Sequence, residues 1–316
     1  MILSSARLKD EMKENLKNEF PESEFRFYNK MKEAAADLEH AEILITFGED
    51  LNEELVERAK ALKWIMVISA GLDKMPFEAL EKKNILITNA RGIHKTPMAE
   101  YTISMMLQVS RKAKELMEKQ KEQIWDRKVP MTEISGQTIG VLGTGAIGGE
   151  IARLAKAFHM KTIGFNRSGK TVDHFDLIVD RDHVEKLYKE SDFIVNVLPA
   201  TDETKDFINA DSFSLMKPTS VLINIGRGTT IAEGDLISAL NDQKIGYAVL
   251  DVFEKEPLSA DSPLWNMENV MITPHLSGIS PQYQTRALEI FSENYKLYMK
   301  NKLKDMVNII PYDRGY

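Results

Sequence analysis

The stretch Val141-Leu142-Gly143-Thr144-Gly145-Ala146-Ile147-Gly148-Gly149, "VLGTGAIGG", decides how the rest of the chain is read. It closes an apolar run, "TIGVLG" (138–143), and opens an amphipathic one, "AIGGEIARLAKAFH" (146–159). Gly143, Gly145 and Gly148 therefore stand in a G-x-G-x-x-G arrangement between a predicted strand and a predicted helix. In that context the pattern binds a dinucleotide; away from it the same glycines would mark only a turn. Gly143 permits the tight turn, Gly145 lets a pyrophosphate approach the backbone, and Gly148 permits close helix packing. The first helical residues, Ala146, Ile147 and Gly148, offer N–H groups without an intrahelical partner to the anion.

The next strand, "KTIGFN" (161–166), ends where a dinucleotide fold usually carries Asp or Glu, which accepts from the adenosine ribose hydroxyls. This chain has Asn166, Arg167 and Ser168 there, with Lys170 two residues on. No carboxylate in that run would repel a 2′-phosphate, and Arg167 and Ser168 have the donors to bind one. The expectation is a preference for NADP, with NAD possible. The plainer alternative is a solvated turn carrying two surface cations.

Outward from this point, short apolar runs alternate with helical patterns in both directions. Upstream, "AEILITFG" (41–48), "KWIMVISAG" (63–71) and "ILITNA" (85–90) read as strands, with "NEELVERAKAL" (52–62) as a helix between the first two. Downstream, "DFIVNVLP" (192–199), "SVLINIG" (220–226) and "IGYAVLDV" (245–252) alternate with helices at 182–190 and 232–244, and a last helix spans 283–300. The class is α/β, with two doubly wound parallel-sheet domains of Rossmann or flavodoxin-like kind. "TPMAEYTISMMLQVSRKAKELMEKQ" (96–120) reads as one long helix, with Pro97 placed to open it.

Composition narrows the partners. The chain has 316 residues, 43% hydrophobic and 28% charged, with a formal net charge of -7 and no basic run, which argues against nucleic acid. It contains no cysteine, so thiolate nucleophiles, disulfides and Cys-ligated metals are excluded. No apolar run approaches membrane-spanning length and the first residues lack a signal-peptide core, so the expected location is cytoplasmic. The six histidines (40, 94, 159, 174, 183 and 275) are too dispersed to suggest a metal site. Met105, Met106, Trp125 and Trp265 are expected to pack in a core or between subunits.

Three segments carry reactive side chains at strand ends or in the loops that follow: "NIGRGTT" (224–230), "LDVFEKEP" (250–257) and "TPHLSG" (273–278). They supply a cation, Arg227, a carboxylate, Glu256, and an imidazole, His275. Such places line the ligand crevice of a parallel sheet. With "GIHKTPMAEYTISMML", "ISGQTIGVLGTGAIG", "SFSLMKPTSVLINIGRG", "LDVFEKEPL" and "PLWNMENVMITPHLSG", residues from about 90 to 280 resemble the D-isomer-specific 2-hydroxyacid dehydrogenase family. The first 90 residues fit more loosely, chiefly through "ISAGLDKM".

The resemblance implies a substrate domain from 1–97 plus 283–316, a nucleotide domain from 98–282, a cleft between them, and a homodimer. It places the catalytic set on Arg227, Glu256 and His275, the substrate carboxylate on Ser69, Ala70 and Gly71 with Arg227 and His275, and the nicotinamide carboxamide on Asp251. Leu198 and Pro199, closing the 192–199 strand, join the expected cofactor contacts. Gly226, where alanine is common, is a departure expected to be minor. The chemistry is consistent with these roles. Arg227 would bind the carboxylate and C2 oxygen of a 2-oxo acid, His275 would deliver the proton, and Glu256 would favour its charged form; no metal is needed. His94 and Lys95, ahead of the long helix, could help attract a carboxylate.

A small 2-oxo acid of the glyoxylate or hydroxypyruvate kind is the expected substrate, giving a D-2-hydroxy acid. The alternatives are a D-3-phosphoglycerate-type dehydrogenase using NAD, and a nucleotide-sensing interaction protein without turnover. The full Arg-Glu-His set speaks against formate dehydrogenase chemistry.

Overall fold

The computed structural model describes residues 1–69, 72 and 75–312. The chain forms two compact units, Met1–Ile93 with Ser280–Tyr316, and His94–Ile279.

In the first unit the described residues form strands β1 (Ile2–Ser4), β2 (Phe25–Phe27), β3 (Ile43–Thr46), β4 (Trp64–Val67) and β5 (Leu86–Asn89). They pair in parallel in the order β2-β1-β3-β4-β5. β3 and β4 are buried at every position, which explains their unbroken apolar runs: a parallel sheet is covered on both faces. Alternation still sorts the side chains, Ile65 and Val67 into one core cluster and Trp64 and Met66 into the other. The helix Tyr283–Met299 joins the second cluster. Its Phe291 stacks on Trp64 at 5.3 Å between ring centres, while the indole N–H of Trp64 donates to Thr88 Oγ1 at 2.9 Å.

The second unit has strands β6 (Thr138–Leu142), β7 (Lys161–Phe165), β8 (Leu177–Val179), β9 (Phe193–Asn196), β10 (Val221–Asn224), β11 (Tyr247–Leu250) and β12 (Val270–Ile272). Their order is β12-β11-β10-β9-β6-β7-β8, again parallel throughout. The winding reverses at β6, which pairs with β7 on one side and β9 on the other. Such a switch point leaves a crevice beyond the carboxyl ends of the strands, where α/β sheets bind ligands. Both units are thus doubly wound α/β domains.

The structure differs from the sequence reading in several places, among them the helices Asp10–Glu19 and Ala210–Leu215, which that reading does not contain. The expected helix over 96–120 is two helices, Lys95–Ser110 and Ala113–Lys121, because Lys112 adopts a left-handed conformation (φ 55°, ψ 39°). β1, β2, β8 and β12 have no counterpart in that reading, since three residues are too few for a period to show.

Candidate functional site

β6 delivers the chain into Gly143, whose φ of 106° only glycine adopts readily. The helix Ala146–Ala157 follows, with Gly145 as its cap residue, and its first ladder bond runs from Gly149 N–H to Gly145 O at 2.8 Å. The N–H groups of Ala146, Ile147 and Gly148 precede that bond. A Cβ on Gly148 would lie 2.0 Å from the Gly143 carbonyl oxygen, so helix and turn are in direct contact there. At Gly145 a Cβ would meet nothing within 4 Å. The three glycines therefore sit in different surroundings: Gly148 is pressed against the turn, and Gly145 faces open space.

β7 ends beside this turn. Asn166 Nδ2 donates to Thr144 Oγ1 and to the Lys170 carbonyl, both at 3.0 Å, and Asn166 Oδ1 accepts from Ser168 Oγ at 3.1 Å. Asn166 thus organises the loop from within. Arg167 points outward, with its side chain 75% exposed, and pairs with Glu203 at 3.0 Å. That carboxylate comes from the loop after β9, a partner not visible in the local sequence. Lys170 is exposed in the same turn.

Arg227 is exposed at the end of a buried amide network that sequence reading missed. Asn196 Nδ2 donates to Asn224 Oδ1 at 2.9 Å and to Thr230 Oγ1 at 2.6 Å. Asn224 Oδ1 also accepts the Gly226 N–H at 3.2 Å, and Thr230 Oγ1 donates to the Arg227 carbonyl at 2.5 Å. Asn196 Oδ1 accepts the Leu198 N–H at 3.2 Å, so one network fixes the ends of β9 and β10 together. All three side chains are fully or almost fully buried, where unmade hydrogen bonds would be costly. The signal was an asparagine ending each of two apolar strands.

The glycines flanking Arg227 are in contact with backbone. A Cβ on Gly226 would lie 2.7 Å from the Leu198 carbonyl oxygen, so this position is more restrictive than the sequence suggested. A Cβ on Gly228 would fall 1.8 Å from the Phe253 carbonyl carbon, which packs the arginine segment directly on the segment leading to Glu256.

Glu256 and His275 meet. Glu256 Oε2 lies 2.8 Å from His275 Nδ1, and Glu256 Oε1 accepts the Phe253 N–H at 3.1 Å. The imidazole is half exposed and its residue holds a left-handed φ of 53°. Asp251, wholly buried after β11, accepts from Thr273 Oγ1 and from the N–H groups of Leu276 and Ser277. His94 caps the helix Lys95–Ser110, with Nδ1 3.2 Å from the Gly278 carbonyl oxygen. Burial pushes its imidazole below the ordinary histidine range, and the positive charge of Arg227 acts in the same direction; the hydrogen bond to Gly278 opposes them.

Among the remaining expectations, Leu198 is buried and Pro199 exposed. Ser69, in the other unit, donates its hydroxyl to the Phe47 carbonyl at 3.1 Å; Ala70 and Gly71 lie outside the described residues. Met106 is fully buried and Met105 packs beside it, whereas Trp265 is 50% exposed and Trp125 is 91% exposed, so no core formed by the described residues holds Trp125. A cavity of about 670 Å³ lined by Gln108, Lys114, Tyr247 and Trp265 includes none of the expected site residues. Among the described residues no group of three or more His, Asp or Glu is placed to hold a metal, and no helix is long and apolar enough to cross a membrane.

The family model described as "D-isomer specific 2-hydroxyacid dehydrogenase, NAD binding domain" matches residues 103–277. A D-3-phosphoglycerate dehydrogenase of Methanocaldococcus jannaschii is 33% identical over 271 residues, 85% of this chain and 52% of that protein. The chain thus spans about half the length of that relative. A solved D-isomer specific 2-hydroxyacid dehydrogenase family protein from Aeromonas salmonicida is 35% identical, with 99% of both chains covered and a TM-score of 0.86. An NADPH-dependent glyoxylate/hydroxypyruvate reductase from Sinorhizobium meliloti, solved with NADP and sulfate, is 25% identical. It covers 100% of this chain and 99% of its own, with a TM-score of 0.82.

Proposed function

The chain belongs to the D-isomer-specific 2-hydroxyacid dehydrogenase family, and from that premise we propose that it is an NADP(H)-preferring reductase of a small 2-oxo acid of the glyoxylate or hydroxypyruvate kind. The observation that carries the reading is the Glu256–His275 pair at 2.8 Å, with the second oxygen of Glu256 tied to the Phe253 N–H. A carboxylate held in this way orients the imidazole through Nδ1, leaving Nε2 for the substrate.

Gly145 and the N–H groups of Ala146, Ile147 and Gly148 would hold the pyrophosphate of the dinucleotide, and Leu198 and Pro199 would join its contacts. When bound, it supplies the hydride that C2 of the oxo acid receives. Arg227 presents its donor fork to the substrate carboxylate and to the C2 oxygen as negative charge develops there. His275 gives its Nε2 proton to that oxygen, and the Glu256 carboxylate balances the imidazolium until the proton leaves. In the oxidative direction neutral His275 takes the hydroxyl proton. Ser69, Ala70 and Gly71 are assigned the substrate carboxylate, and a homodimer is assigned as the assembly, on family resemblance.

Arg167, Ser168 and Lys170 support NADP(H), as does the NADPH-dependent relative. The ion pair of Arg167 with Glu203 favours the alternative, NAD. An exposed pair of this kind contributes about 0–1 kcal/mol, less than the roughly 1.5–3 kcal/mol of a hydrogen bond to a charged group, so a 2′-phosphate would displace Glu203.

The test is steady-state oxidation of NADPH and NADH against glyoxylate, hydroxypyruvate, pyruvate and a bulkier 2-oxo acid, for wild type, Arg167→Ala and Arg227→Ala. The expected result is turnover that favours NADPH, a preference lost in Arg167→Ala, and a fall in kcat/KM of about 10²–10³ in Arg227→Ala. An NADH preference untouched by Arg167→Ala would reject the cofactor reading alone. Nucleotide binding without turnover on any oxo acid would favour a nucleotide-sensing binding protein.

A further inference from the structure

His275 occupies a backbone conformation that non-glycine residues rarely adopt, so its loop must be held by its surroundings. The holder is Asp251, wholly buried at the end of β11. Its Oδ1 accepts from Thr273 Oγ1 at 2.5 Å and from the Leu276 N–H at 2.9 Å; its Oδ2 accepts from the Ser277 N–H at 2.9 Å. Its backbone oxygen accepts the His275 N–H at 2.8 Å. Residues on both sides of His275, and His275 itself, are thus tied to one side chain and its own backbone.

A carboxylate accepts and does not donate, so the Thr273 hydroxyl spends its proton on Asp251. The Tyr101 hydroxyl, 2.6 Å from Thr273 Oγ1, must then be the donor to Thr273. Burial raises the Tyr101 phenol to about 12, which keeps that proton in place across the working range. The hydrogen bonds run one way, from Tyr101 in the helix Lys95–Ser110 through Thr273 to Asp251. We propose that Tyr101 and Thr273 are positioning residues for His275, acting through Asp251 to fix the loop that presents the imidazole. The inference rests on the reading of His275 as the proton-transfer group, and it gives Asp251 a task inside the protein besides the cofactor contact expected of it.

The experiment compares Tyr101→Phe, Thr273→Val and the conservative Thr273→Ser with wild type in the full chain. It reads kcat, KM for NADPH and glyoxylate, the thermal transition, and hydrogen exchange of the Leu276 and Ser277 amides. Expected are faster exchange of those amides in Tyr101→Phe and Thr273→Val, kcat lower by about tenfold, both KM values within about twofold, and recovery in Thr273→Ser. Unchanged exchange would overturn the proposal, as would faster exchange with kcat intact. A loss of kcat shared by Thr273→Ser, or one that follows a lost thermal transition, would reduce the two hydroxyls to ordinary stabilising groups and overturn it too. If wild type turns over no 2-oxo acid with either nucleotide, the proposed function fails; amide exchange then decides, and unchanged exchange rejects the clamp.

Discussion

Burial holds His94 away from protonation at a pH where a solvent-exposed histidine would begin to charge. Because its folded pKa lies below the ordinary value of about 6.5, the unfolded chain binds the extra proton more readily. The stability contributed by neutral His94 is therefore complete above that value and is lost as pH falls through it. Between pH 7 and 5, wild type should lose stability, and His94→Asn should lose less, by at most about 1.4 kcal/mol per pH unit. Urea unfolding of both proteins at several pH values measures this; parallel curves would remove His94 as the cause. At the same scale, Arg227, Glu256 and His275 could be singled out in the sequence because charge and position at strand ends mark them. Asn196, Asn224 and Thr230 were not, because a buried amide differs from a turn residue only in partners from other strands.

At the scale of elements, strands were legible wherever both faces are covered. β3 and β4 read as unbroken apolar runs because every position is buried. The helix over 96–120 misled because residues on both sides of Lys112 favour helix, and one left-handed residue is enough to end it. That break has a measurable cost. A side chain at positive φ loses about 1–2 kcal/mol, of which glycine would give back part through its own flexibility in the unfolded chain. Lys112→Gly should therefore raise stability, by about 0.5–1 kcal/mol, with helix content by circular dichroism unchanged. A fall in the melting temperature would show that the lysine side chain, rather than its backbone angle, matters there.

At the scale of the whole molecule, each unit has core on both faces of its own sheet. The first is built from both ends of the chain. Its sheet comes from residues 2–89 and one face is covered by Tyr283–Met299, where Phe291 is wholly buried against Trp64. Phe291→Ala should cost about 3–5 kcal/mol, as large-to-small changes in aromatic cores do. The loss should appear in the unfolding transition reported by tryptophan fluorescence. A cost below about 1 kcal/mol would mean that the helix is not part of that core in solution.

The sequence by itself determined the parallel α/β class and the glycine turn, because these depend on local period and on backbone freedom, and it singled out Arg227, Glu256 and His275 by their chemistry. Only the tertiary structure decided which groups meet. It put Glu203 on Arg167, packed Gly228 against Phe253, joined Glu256 to His275, and enclosed Asp251 among Thr273, Leu276 and Ser277. The partners lie 19 to 36 residues apart along the chain, Glu256–His275 and Arg167–Glu203 being the extremes. Hydrogen bonds and van der Waals contacts act over a few ångströms. The strand order, rather than the spacing along the chain, therefore determines which of them form.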